Sequence, residues 1–132
     1  MAMNQSLQVY KQNSVNTASP AELTVMLYNG CLKFIKLAKL AIEENNIEQR
    51  HINLGKAQDI IQELMVNLNM DVGLSKNLMK MYDYIHRRLI EANTKNDVEI
   101  LIEVEGFVMS FRDTWKEAMQ LSKKQYAESG RA

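Results

Sequence analysis

The stretch Asn16–Phe34, NTASPAELTVMLYNGCLKF, decides the fold. Ser19-Pro20-Ala21-Glu22 is a helix start. The Ser19 hydroxyl can accept from a first-turn N–H, Pro20 takes the first helical position, and Glu22 is the reciprocal capping partner. The helix that follows is apolar on more than one face. Leu23, Met26, Leu27, Cys31 and Phe34 share one side, while Val25, Tyr28, Leu32 and Ile35 spread onto others. A helix packing a small core needs a single stripe, so the surplus either fills a wider core or faces another chain.

Working outward, three further starts follow the same logic. Asn46 can cap a second helix with Gln49 three residues on, and Leu54, Ala57, Ile61, Leu64 and Leu68 form its stripe. Ser75 can cap a third, with Leu78, Met81, Tyr82, Ile85, Leu89 and Ala92 at helical spacing. Asn96 can cap a fourth, with Glu99 at its third position and Leu101, Val104, Val108, Phe111 and Trp115 as the stripe. The predicted helices are 20–44, 47–69, 75–93 and 97–122. Residues 1–18 form a polar N-terminal arm with Leu7, Val9, Tyr10 and Val15 as apolar points, and 125–132 a flexible tail. Short breaks make sequential helices antiparallel. The expected fold is an all-α, antiparallel up-down-up-down four-helix bundle over residues 19–124.

The totals agree. The chain has 132 residues, 46% of them hydrophobic, with one proline and five glycines. That suits one helical domain and excludes disorder or a turn-rich β fold. Lys+Arg and Asp+Glu both number 16, so no basic footprint marks a nucleic-acid binder. The opening MAMNQSLQVYKQ is no secretory signal, and no uncharged apolar run of about 18 residues suggests membrane insertion. A cytoplasmic protein is expected.

Helical bundles can house two metals between Glu-x-x-His motifs, and Glu48–His51 with Asp83–His86 imitates that pattern. Folding the third helix back on the second puts His51 opposite residue 92 or so, which leaves His86 about 9 Å away along the axis. The first helix has no acid between Glu22 and Glu43 to complete such a site. Cys31, the single cysteine, sits in an apolar pattern without a histidine nearby. No phosphate-cradling loop or nucleophile elbow occurs. No enzyme, metal or cofactor is expected.

Surplus apolar residues then carry the function. Tyr28, Leu32 and Ile35, Ile60, Met65 and Val66, Met79 and Tyr84, Ile102 and Met109 lie off the core stripes. Nine methionines add adaptable surface, of the kind that holds helical or extended peptides.

These residues resemble the flagellar secretion chaperone family FliS, from Tyr10 to Trp115. The resemblance rests on Thr17-Ala18-Ser19-Pro20-Ala21-Glu22-Leu23, Met26-Leu27-Tyr28-Asn29-Gly30, Lys56-Ala57 and Ile60-Ile61-Gln62-Glu63-Leu64. It continues through Asn77-Leu78, Tyr82-Asp83-Tyr84, Leu89, Ala92-Asn93, Glu103-Val104 and Arg112 to Trp115. It implies a cytoplasmic export chaperone that binds the disordered C-terminal segment of flagellin and prevents premature polymerisation. The loaded complex would go to the flagellar type III export apparatus, with the export-gate protein FlhA as docking partner. The expected partner-binding residues are Tyr10, Leu27, Tyr28, Ile35, Lys56, Ile60, Met79, Tyr84, Ile102 and Met109. Lys56 is included as a cation for a client carboxylate or carbonyl. Leu23, Met26, Cys31 and Phe34 are expected in the core, with client contact or arm docking near Tyr28 and Ile35. The competing reading is a self-associating structural or adaptor bundle, a homodimer without a flagellin client.

Overall fold

The computed structural model describes residues 19–130, so the N-terminal arm and Tyr10 lie outside the described residues. Four helices follow in order: α1 (Pro20–Glu43), α2 (Ile47–Val66), α3 (Gly73–Lys95) and α4 (Val98–Gly130). The helix backbones pack as a ring, α1 on α2 and α4, α3 on α2 and α4, and the Tyr28–Tyr82 side-chain contact crosses its diagonal. Ion pairs mark the antiparallel α1–α4 register: Lys123 reaches Glu22 at 3.8 Å near one end and Lys39 reaches Glu105 at 3.0 Å near the other. The chain is a four-helix antiparallel bundle.

Capping explains most boundaries. The Ser19 hydroxyl accepts from the Glu22 N–H at 3.2 Å, and the Asn46 side chain accepts from the Gln49 N–H at 3.1 Å. Asn45 and Asn96 both adopt left-handed backbone at φ 55°. Asparagine tolerates that conformation, which lets each connection reverse the chain within a few residues.

Two caps differ from expectation. Ser75 is not a cap but a buried residue inside the first turn of α3, whose N-cap is Val72 with no side-chain bond. Asn69 instead organises this connection, accepting from the Asp71 N–H at 3.1 Å. Asn96 closes α3, and Asp97 takes the capping role for α4 by accepting from the Glu99 N–H at 2.9 Å.

Helix α4 runs 33 residues, well past the expected end near 122. Lys116 to Glu128 contains good helix formers with no proline or glycine before Gly130, so local propensity carries the helix beyond its packing partners.

The core follows the predicted stripes in α2, α3 and α4, with Leu54, Ile61, Tyr82, Ile85, Leu89, Leu101, Val104 and Val108 all buried. In α1 the buried side is rotated from expectation. Tyr28, Leu32 and Ile35 are inside, while Leu23, Met26 and Phe34 are only half-buried. Cys31 is buried as expected, and burial pushes its thiol up to about 12.

Candidate partner-binding surface

The centre of the bundle is aromatic and polar at one point. The Tyr28 and Tyr82 hydroxyls meet in a buried hydrogen bond, and the Phe111 ring lies 6.1 Å from one ring and 6.0 Å from the other. Burial, reinforced by the hydrogen bond to Tyr82, raises the Tyr28 pKa, so the phenol stays neutral.

Tyr28 is therefore not a contact for another chain, and neither are Leu27, Ile35 and Ile60, none more than 3% exposed. The reason is the ring arrangement. The interfaces of α1 with α2 and with α4 are the two most extensive in the ring, so its buried arc is wider than a single stripe and absorbs residues that looked surplus. Gly30 is buried in the same helix.

The other expected contacts stay at the surface. Ile102 and Met109 are 47% and 40% exposed on α4. Met79 is half-buried on α3. Tyr84 is half-buried, edge-on to Phe107 at 6.1 Å, and its hydroxyl donates to Glu103 at 2.9 Å. Arg88 also donates to Glu103 at 3.1 Å and to Glu91 at 2.6 Å, and Lys95 donates to Glu91 at 2.7 Å. These partners hold Glu91 below the usual carboxylate range, Lys95 most and Arg88 next. Lys56 is half-buried with its ammonium 5.3 Å over the Phe34 ring, which Lys33 approaches at 5.6 Å.

The sequence reading missed further apolar surface. Leu37 and Leu40 stand exposed on α1, as do Met70 and Val72 in the connection from α2 to α3 and Leu74 in the first turn of α3. Beside that connection a cleft of about 610 Å³ opens between the start of α1, the start of α3 and Trp115. Its walls include Leu23, Leu68, Leu74 and Leu78. A second cleft of about 680 Å³ lies between the start of α1 and the far end of α4, lined by Trp115, Met119 and Tyr126. Ser19 lines both. The available signal was Trp115, a large ring at the last position of the α4 stripe, which lines both clefts.

The two Glu/Asp-x-x-His motifs do not face each other. His51 Nδ1 lies 3.0 Å from the Asn93 amide, roughly 10 Å along the axis from the level of His86. Among the described residues, no three His, Cys, Asp or Glu side chains converge as a metal site, and no helix is long and apolar enough to cross a membrane.

A helical bundle with exposed apolar residues on several helices suits a protein-binding module. The model of the family described as Flagellar protein FliS matches residues 2–122. The flagellar secretion chaperone FliS of Bacillus subtilis (strain 168) is 55% identical over 98% of both chains. The flagellar secretion chaperone FliS of Escherichia coli (strain K12) is 36% identical over 85% of both. A crystal structure of a flagellar chaperone from bacteria superposes with a TM-score of 0.68 at 22% identity, covering 88% of this chain and 96% of that one, and it shows the same fold. The chain belongs to the FliS family of flagellar secretion chaperones. This is a family of chaperones, not enzymes, and its members handle a client protein.

Proposed function

We propose that this protein is a cytoplasmic export chaperone for flagellin. It holds the C-terminal segment of the client, prevents premature polymerisation, and delivers the complex to the flagellar type III export apparatus with FlhA as the docking partner. The observation that carries this reading is the distribution of exposed apolar residues over several sides of the bundle, from Val72 and Leu74 to Ile102, Met109 and Leu121. A folded partner would cover one contiguous patch. A disordered client loses conformational entropy on binding, so its affinity per area is modest and a long wrapped interface compensates. Release at the export gate also favours many shallow contacts over one deep pocket.

Lys56, Met79, Tyr84, Ile102 and Met109 are the contacts retained in this reading. The role we propose for the N-terminal arm, which lies outside the described residues, is to shield part of the apolar surface with Leu7, Val9 and Tyr10 before the client arrives. Deleting residues 1–16 is then expected to raise self-association and change client affinity.

Calorimetric titration with a flagellin C-terminal peptide tests the proposal. The expected result is stoichiometric binding with a large negative heat-capacity change. A stable homodimer with no affinity for the peptide would replace it with the self-associating adaptor.

A further inference from the structure

Three cations converge on a cleft that the apolar surface does not account for. The cleft, of about 390 Å³, is lined by Asn29, Leu32, Lys33, Lys36, Leu37 and Arg112. Asn29, Lys33, Lys36 and Leu37 recur at helical spacing, so they share the outer face of α1, and all four are exposed. Arg112 comes from α4 and donates to the Asn29 side chain at 3.4 Å, which ties the two helices together beside the cleft.

The charge of this cleft is not balanced within the chain. Helix α1 has no Asp or Glu from Leu23 to Ile42. Of its lysines, Lys39 is paired with Glu105 at 3.0 Å. Among the described residues, no carboxylate lies within ion-pair distance of Lys33 or Lys36. Arg112 is paired with Asp113, its exposed neighbour in sequence, and a surface pair of that kind contributes little. Lys33 also shares the Phe34 ring with Lys56, at 5.6 and 5.3 Å, so positive charge continues onto α2. Like charges one turn apart on a helix repel, so the bundle itself gains nothing from this set.

Chemistry selects the occupant. Lys+Arg and Asp+Glu both number 16, and three cations make a short footprint where a nucleic acid calls for a long one. A cleft lined by Leu32 and Leu37 between cations fits carboxylates interleaved with apolar side chains. Arg112 offers a planar fork of donors to a carboxylate, and the lysines act as point charges. The position is also separate from much of the apolar surface. Helix α1 lies across the diagonal of the ring from α3, which carries Met79 and Tyr84.

We propose that this cleft docks an acidic segment of a second protein partner, distinct from the client, through Lys33, Lys36 and Arg112. The cations draw the segment in and set its orientation, and Leu37 at the cleft's edge covers an apolar side chain. This assignment adds a partner to the export-chaperone reading and does not rest on it.

Fluorescence anisotropy of the full chain tests the site, with a labelled peptide in which pairs of glutamate alternate with leucine. Wild type is compared with Lys33→Glu/Lys36→Glu and with Lys76→Glu/Lys80→Glu, which makes the same change in net charge at two exposed lysines of α3. At low salt the α1 reversal is expected to weaken binding at least tenfold and the α3 reversal less than twofold. Added salt is expected to shrink the difference. Ile102→Ala/Met109→Ala is expected to bind the peptide as wild type does. Absence of wild-type binding would overturn the proposal. Equal losses in the two reversals would mean that the peptide follows net charge alone, and would overturn it too. A tenfold loss in Ile102→Ala/Met109→Ala would give the peptide to the client surface, and equal affinity for single-stranded DNA of the same charge would give the cleft to nucleic acid. Either result overturns the second protein partner. Because flagellin is absent from this titration, its outcome is independent of whether the flagellin segment binds.

Discussion

The hydroxyls of Tyr28 in α1 and Tyr82 in α3 lie 2.5 Å apart, joining two helices whose backbones do not otherwise pack on each other. This is a polar tie across the diagonal of an otherwise apolar core. Removing the Tyr28 hydroxyl leaves that of Tyr82 buried and without this partner, whereas removing the Tyr82 hydroxyl leaves Tyr28 with Trp115. Tyr28→Phe is expected to cost about 1–3 kcal/mol in urea denaturation. Tyr28→Phe with Tyr82→Phe is expected to cost less than the sum of the single changes. Strict additivity would show that the hydroxyls do not act as a pair.

Core and surface residues separate cleanly by mutation. Ile35→Ala is expected to destabilise the bundle by about 2–5 kcal/mol, because the cavity it leaves is enclosed on all sides. Ile102→Ala and Met109→Ala are expected to change stability by no more than about 0.5 kcal/mol. Both should nevertheless lower affinity for the flagellin segment severalfold. Thermal denaturation and calorimetry together check this, and unchanged client affinity in both surface variants would remove them from the interface.

Asp59 gives the fold a pH dependence. Burial raises its carboxyl above the ordinary 3.8, against a smaller opposing pull from His86. Its Oδ2 is buried with no hydrogen-bond partner among the described residues. The charged form is the costly one, so the protonated state carries no penalty below 3.8 and stability is lost as pH rises through the folded value. Asp59→Asn is expected to melt higher than wild type at about pH 7, with the gap closing toward about pH 3. A gap that persists at the acid end would assign the effect to something other than ionisation.

Cys31 is expected to be inert. Its thiol is buried and pushed up to about 12, so little thiolate exists and no reagent reaches it. A thiol-specific chromogenic reagent should label the native protein only as fast as it unfolds, and fully in denaturant. Rapid labelling of native protein would mean that α1 opens locally.

The sequence alone determined the helical elements and their antiparallel order. Those properties are local: Ser19 and Asn46 sit three residues before the N–H groups they cap, and the stripes of α2, α3 and α4 repeat at helical spacing. The level of His51 against Asn93 was legible too, because a short turn fixes the register of its two helices. Only tertiary structure decided which apolar residues belong to the core. Spacing says that Tyr28 and Ile35 differ in direction from Leu23 and Phe34, but not how many neighbours surround α1 or from which side. Its extensive interfaces with α2 and α4 widened its buried arc and drew Tyr28 inward to Tyr82. The same arrangement left Ile102 and Met109 facing outward on α4 and Lys33 and Lys36 on α1, because burial belongs to the assembled ring and not to any one helix.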